Sequence, residues 1–137
     1  MKKFPNKKYS NLSDYFNDYS RELIKCINKS EIKNLSKAKN ILEKKYRNNN
    51  NIFVCGNGGS AAIANHFECD HKKILFETKK IKPRIISMCS NNSLITAISN
   101  DHSYEDIFIK QLEYLSKKGD LLITISSSGN SENIIKA

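Results

Sequence analysis

Apolar positions follow two different patterns along this chain, and the change between them divides it near residue 50. Leu12, Tyr15, Phe16, Tyr19, Leu23 and Ile27 recur at three- and four-residue steps, the spacing of one face of an amphipathic helix. Ile32, Leu35, Ala38, Leu42 and Tyr46 continue that spacing, and the asparagine run from Asn48 to Asn51 stops the second helix. Beyond it the apolar residues form short unbroken runs. These predict strands from Asn51 to Cys55, Arg84 to Cys89 and Asp120 to Ser126, with helices from Gly59 to about Lys73, near Ser93 to Ser99, and from Tyr104 to Lys117. Continuously apolar strands alternating with helices predict an α/β fold built on a doubly wound parallel sheet. Residues 1–50 are then a helical N-terminal arm and residues 51–137 the α/β core of one domain.

Two of the expected strand ends carry chemistry. Phe53-Val-Cys-Gly-Asn-Gly-Gly-Ser60 runs from a strand through a glycine turn into a helix, where free backbone amides favour an anion. The same helix carries His66 and Asp70. At i, i+4 they share one face, expected here to point inward, within reach of one metal ion or one substrate. Glu68 stands roughly 200° round the helix from His66 and cannot replace Asp70. The second turn, Ile125-Ser-Ser-Ser-Gly-Asn-Ser131, offers the hydroxyls of Ser126, Ser127, Ser128 and Ser131 together with the turn's backbone amides, a neutral cradle for phosphate. Either turn alone is ordinary βα-loop and cap chemistry. Their repetition matters because parallel sheets bind ligands at the carboxyl ends of their strands, and it points to a phosphorylated small molecule.

Charge changes this picture little. The net charge of +9 raises nucleic acid as a partner, but residues 1–50 hold 13 Lys/Arg against 5 Asp/Glu while residues 51–137 hold 10 against 9. The excess is a solvated lysine-rich helical face, and no nucleic-acid partner is expected. No apolar run approaches the ~18 residues of a membrane span, and no apolar segment follows the basic start; the expectation is a cytoplasmic protein without a membrane partner. Cys26, Cys55, Cys69 and Cys89 lie 29, 14 and 20 residues apart, which suits reduced, partly buried thiols and neither a zinc knuckle nor a disulfide framework. His71 and His102 are expected at the surface, and the Tyr104, Phe108, Leu112 and Leu115 stripe is expected to be core or subunit interface.

Cys55-Gly-Asn-Gly-Gly-Ser60, Asn65-His66-Phe67, Asn100-Asp101 and Ile125-Ser-Ser-Ser-Gly-Asn-Ser131 together resemble the SIS (sugar isomerase) domain of phosphoheptose isomerases, from about Tyr9 to the last residue. The resemblance implies a flavodoxin-like SIS domain that interconverts sedoheptulose 7-phosphate and a manno-heptose 7-phosphate for bacterial surface polysaccharide. It implies that Asn57, Gly58, Gly59, Asn100 and Asp101 hold substrate, that Ser126, Ser127, Ser128 and Ser131 bind its phosphate, and that His66 ligates zinc. Asp70 then stands where most members have a glutamate that serves as both ligand and base. A homo-oligomer, expected as a tetramer through the N-terminal helices, would share its active sites between subunits.

Two departures bear on activity. Asp70 is one methylene shorter than the family's glutamate, a displacement of ~1 Å that can cost about 10²-fold in rate. The family continues past Ala137 with further strands, the remaining zinc ligands and an acid histidine. The expectation is therefore an incomplete core whose run from Leu121 to Ile125 is a bare apolar edge, and a chain of feeble activity prone to association. Two protein ligands are fewer than the three a zinc site usually has. The competing reading is a non-catalytic SIS protein that senses sugar phosphates or serves as an adaptor of the kind that binds the replication initiator.

Overall fold

Asn51–Gly56, strand β1, is buried at every position, as a strand covered on both faces and paired on both edges must be. A computed structural model describes Phe4, Pro5 and residues 7–137. Within it the chain forms two compact units that divide between Lys39 and Asn40. The first contains helix α1 (Leu12–Asn28) and the start of α2 (Ile32–Arg47). Asn11 caps α1 by accepting from the Asp14 amide at 2.9 Å, which satisfies one of the donors a helix start leaves unpaired. Tyr9 and Lys7 both turn to Asp18, at 3.1 and 2.7 Å.

The second unit holds β1, α3 (Gly59–Lys79), β2 (Arg84–Ser87), α4 (Asn92–Asp101), a 3-10 turn (Tyr104–Asp106), α5 (Ile109–Leu115), β3 (Leu121–Ile125) and α6 (Glu132–Lys136). The three strands are parallel and ordered β2-β1-β3. Val54 pairs with Ser87 on one side and Ile123 on the other. The predicted α/β class and parallel sheet are therefore observed. Ile52, Phe53, Val54, Ile85, Met88, Phe108 and Ile134 form the centre of the core, and Leu42 and Tyr46 of α2 pack against it.

Several boundaries differ from the sequence expectation, each for a local reason. Helix α3 continues six residues past Lys73. It ends only where Lys80 takes a left-handed conformation (φ 56°) and its amide and that of Ile81 close back on Phe76 and Leu75, shortly before Pro83. Strand β2 stops at Ser87 because the Ser87 hydroxyl accepts from the Cys89 amide at 3.2 Å and bends the chain. The single helix expected from Tyr104 to Lys117 is broken into a 3-10 turn and α5. As a result only Phe108 and Leu112 of the expected stripe are buried, while Tyr104 and Leu115 are 56% and 46% exposed. Cys55 and Cys89 are buried, but Cys26 and Cys69 are exposed. Burial, with a smaller push from Cys89, raises the Cys55 thiol to about 12, so it is neutral and unreactive at ordinary pH.

At the amino ends of the strands, one polar cluster ties the sheet together. Asp120 accepts from the Asn51 amide and side chain, both at 2.9 Å, and from the Lys117 amide at 3.0 Å. Arg84 Nε donates to Asn51 Oδ1 at 2.9 Å. Burial pushes the Asp120 carboxyl up, but the hydrogen bonds from Asn51 and Lys117 outweigh it and hold the carboxyl below its ordinary value. Its contribution to stability is thus present above the unfolded pKa of ~3.9 and is lost as pH falls through the lower folded value. Asp120→Ala is expected to destabilise the fold by about 1–2 kcal/mol at neutral pH. In denaturant titrations that difference should shrink towards zero in acid.

Candidate functional site

The order β2-β1-β3 places the turns after β1 and β3 side by side at the carboxyl ends of adjacent strands, the position where a doubly wound sheet opens a crevice. Gly56 begins the first turn. A Cβ built there would meet Ser60 Cβ, C and O at 2.7–2.8 Å, so the start of α3 can lie this close to the strand only over a glycine. Gly58 has φ 54° and caps α3 without a side chain, a conformation that glycine adopts at little cost. Ser60 and Ala61 close onto the Asn57 and Gly58 carbonyls, and among the described residues the Gly58 and Gly59 amides have no acceptor. They are free to receive an anion.

The serine turn is partly closed on itself. Ser126 Oγ accepts from the Gly129 amide at 3.1 Å and Ser128 Oγ from the Asn130 amide at 3.2 Å, while Gly129 takes a left-handed φ of 68°. Two amides that the sequence offered to a ligand are therefore used to shape the loop. Ser126 and Ser128 also share a hydrogen bond between their hydroxyls at 3.5 Å, so of their two hydrogens one remains, together with Ser127 and the Ser131 hydroxyl, which caps no backbone amide of α6.

Across the crevice the two turns are joined. Asn57 Nδ2 donates to Asn133 Oδ1 at 2.8 Å, and Asn133 Nδ2 donates back to Asn57 Oδ1 at 2.9 Å. Tyr104 Oη donates to the same Asn57 Oδ1 at 3.1 Å. Asn57, Ser103, Tyr104, Glu105, Ser131, Glu132 and the buried Asn133 line a groove of ≈ 330 Å³. Beside it, a hydrogen bond to Glu132 and that residue's charge raise the Glu105 carboxyl above its usual range, and the ion pair between Lys136 and Asp106 lowers the Asp106 carboxyl.

The expected metal or base pair lies elsewhere. His66 Nε2 and Asp70 Oδ2 are 3.4 Å apart on α3, as their i, i+4 spacing requires, but their side chains are 75% and 48% exposed. The face expected to point inward points outward, because the buried side of α3 is given by Ala64 and by Phe67 and Ala61. The pair borders a groove of ≈ 580 Å³ with Ala62, Ile63, Phe67 and His71. Here His71 departs from its expected surface position: its ring is half-buried, stacked 3.8 Å from Phe67, with Nδ1 2.8 Å from the Phe67 carbonyl. Zinc needs a third protein ligand, and among the described residues no three His, Cys, Asp or Glu converge. His66 and Asp70 by themselves do not fit a zinc centre.

The remaining expected residues are dispersed. Asn100 and Asp101 are exposed in the last turn of α4, with the Asn100 amide on Asp101 Oδ1 at 2.8 Å, and they line neither groove. Glu68 serves the scaffold, accepting from the Ser87 amide at 2.6 Å beside the Asn65–Ser87 contact. Nothing local in the sequence marks Asn133 or Tyr104 as a site residue; their place at the groove comes from contacts with Asn57. The strand-turn-helix pattern around Ser131 signalled the turn, but nothing in it marked a residue of the following helix as the partner of Asn57.

A parallel α/β sheet with two adjoining turns at the carboxyl ends of its strands is the architecture in which an α/β domain holds a ligand. Residues 14–137 match the SIS domain family, and the chain belongs to it. Its relatives include phosphoheptose isomerases, 45% identical over 103 residues in Aliarcobacter butzleri and 41% identical over 104 residues in Helicobacter pylori. Each match covers 75% of this chain, and 54% and 53% of the respective relative; the chain spans about half the length of the curated relatives it matches. Among solved structures, phosphoheptose isomerase GmhA from Neisseria gonorrhoeae superposes with a TM-score of 0.81 at 30% identity, over 92% of this chain and 66% of that one. A phosphoheptose isomerase from Francisella tularensis gives 0.76 at 31% identity, over 90% and 62%.

Proposed function

We propose that this chain carries the substrate-holding part of an aldose–ketose isomerase that converts sedoheptulose 7-phosphate to D-glycero-D-manno-heptose 7-phosphate for bacterial surface polysaccharide. The observation that carries the reading is the joining of the Asn57–Gly59 turn to the start of α6 at the carboxyl ends of β1 and β3. Ser126, Ser127, Ser128 and Ser131 receive the 7-phosphate, and Asn57 with the Gly58 and Gly59 amides holds sugar oxygens. Asn100 and Asp101, which line neither groove, are assigned to the part of the sugar chain that extends beyond it.

The reaction moves one proton between adjacent carbons. Asp70 takes the C1 proton of the open-chain ketose, and the C1–H electron pair becomes the C1–C2 double bond of an enediol as O2 gains a proton. Return of a proton to C2, with loss of the O1 proton, gives the aldose. The exposure of His66 and Asp70 suits a pair that meets substrate where two copies of the chain adjoin. The apolar face of α1, with Leu12, Phe16 and Ile27 exposed, suits assembly into a homo-oligomer, which we assign as a tetramer. Zinc, a Lewis acid that would polarise the sugar carbonyl, would need ligands beyond His66 and Asp70.

Titration calorimetry tests the phosphate assignment. Ser126→Ala combined with Ser131→Ala removes two hydroxyls, each worth about 1 kcal/mol or more to a charged acceptor, so affinity for sedoheptulose 7-phosphate should fall at least about tenfold. Unchanged affinity would sink the assignment.

A further inference from the structure

Asn133 is a buried amide, 2% exposed, on the second residue of α6, and both of its side-chain contacts are to Asn57. A carbonyl oxygen has two lone pairs and an amide nitrogen two hydrogens. Asn57 Oδ1 spends both acceptor sites, one on Asn133 Nδ2 and one on Tyr104 Oη. Asn57 Nδ2 gives one hydrogen to Asn133 Oδ1, and among the described residues its second hydrogen has no acceptor. Tyr104 is 56% exposed, so its ring adds little to the core, and its hydroxyl hydrogen bond is to Asn57.

We propose that Asn133 and Tyr104 are positioning residues that fix the Asn57 amide with its oxygen occupied, so that Asn57 meets the sugar phosphate only as a hydrogen-bond donor. The role rests on the isomerase reading above and deepens it: the ligand group at this point is an acceptor oxygen of the sugar chain. An amide with one orientation locked avoids the cost of ordering it on binding and rejects a ligand that presents a donor there.

The test is a double-mutant cycle by calorimetry on the whole chain, with sedoheptulose 7-phosphate and inorganic phosphate as probes. Tyr104→Phe keeps the half-exposed ring and should not threaten folding. It should weaken sugar-phosphate binding by about 3- to 10-fold, the worth of one hydrogen bond, and leave inorganic phosphate within about twofold. Asn133→Ala should weaken it by about tenfold or more, by the same reasoning. On an Asn57→Ala background, Tyr104→Phe should add nothing, because the residue through which it acts is gone. A full Tyr104→Phe effect on that background, or an equal loss for both probes, overturns the positioning role alone. Failure of the unsubstituted chain to bind sedoheptulose 7-phosphate overturns the isomerase reading and the positioning role with it.

Discussion

Asp70→Asn should lower turnover of sedoheptulose 7-phosphate by about 10²–10⁴-fold, the usual worth of a general base, while leaving the fold and phosphate binding intact. The substitution keeps the side-chain volume and removes charge and basicity. Asp70 is half-exposed and its close partner is His66 at 3.4 Å, so no buried network collapses when the charge goes. The phosphate turn follows β3, and none of its serines lines the groove that Asp70 borders, so it should bind as before. Asp70→Glu supplies the missing methylene and should match or exceed the unsubstituted rate, by up to about 10²-fold if the ~1 Å shortfall limits proton transfer. Steady-state kinetics of the three forms, with circular dichroism as the folding control, decides the matter. Full activity in the asparagine variant would make Asp70 structural and direct attention to Asp101.

Gly56→Ala should be the most damaging glycine-to-alanine change in the second unit. The new Cβ would stand 2.7–2.8 Å from Ser60 Cβ, C and O. All three belong to the first turn of α3 and two of them are backbone atoms, so relief requires the helix start to move off the strand. The expected cost is about 3 kcal/mol, which for a unit of this size lowers the melting temperature by roughly 15 °C. Because the Asn57–Gly59 turn moves with the helix, sugar-phosphate affinity should fall as well. Gly59→Ala is the control: a Cβ there meets nothing within 4 Å, and alanine is favoured over glycine inside a helix. Thermal unfolding of the two variants should place Gly56→Ala well below, and Gly59→Ala at or slightly above, the unsubstituted protein.

The elements that announced themselves in the sequence are those whose signal is local. The unbroken apolar run of β1 is buried throughout because parallel neighbours flank it, and the glycine turn follows from the close approach at Gly56 and the positive φ at Gly58. What stayed hidden depends on contacts between residues far apart in sequence. The break at Ile107 and Phe108 puts Tyr104 at the groove instead of in the core, and Asn133 reaches Asn57 across 76 residues. The outward direction of His66 and Asp70 is not legible in the sequence, because i, i+4 spacing states that two residues share a face and not which face it is. Likewise the sequence presents the serine turn as a set of free donors, whereas the hydroxyls of Ser126 and Ser128 first satisfy the loop's own amides.

The measurement that tests isomerase function most directly is proton exchange in D2O. When sedoheptulose 7-phosphate is incubated with the protein and followed by proton NMR, an enediol pathway exchanges a C1 proton of the ketose for deuterium, and the aldose formed carries deuterium at C2. Long incubation makes the readout sensitive to feeble turnover. The account predicts both labels, and their loss in Asp70→Asn. Binding of the sugar phosphate with no exchange at C1 would contradict it and leave a SIS domain that holds its ligand without transforming it.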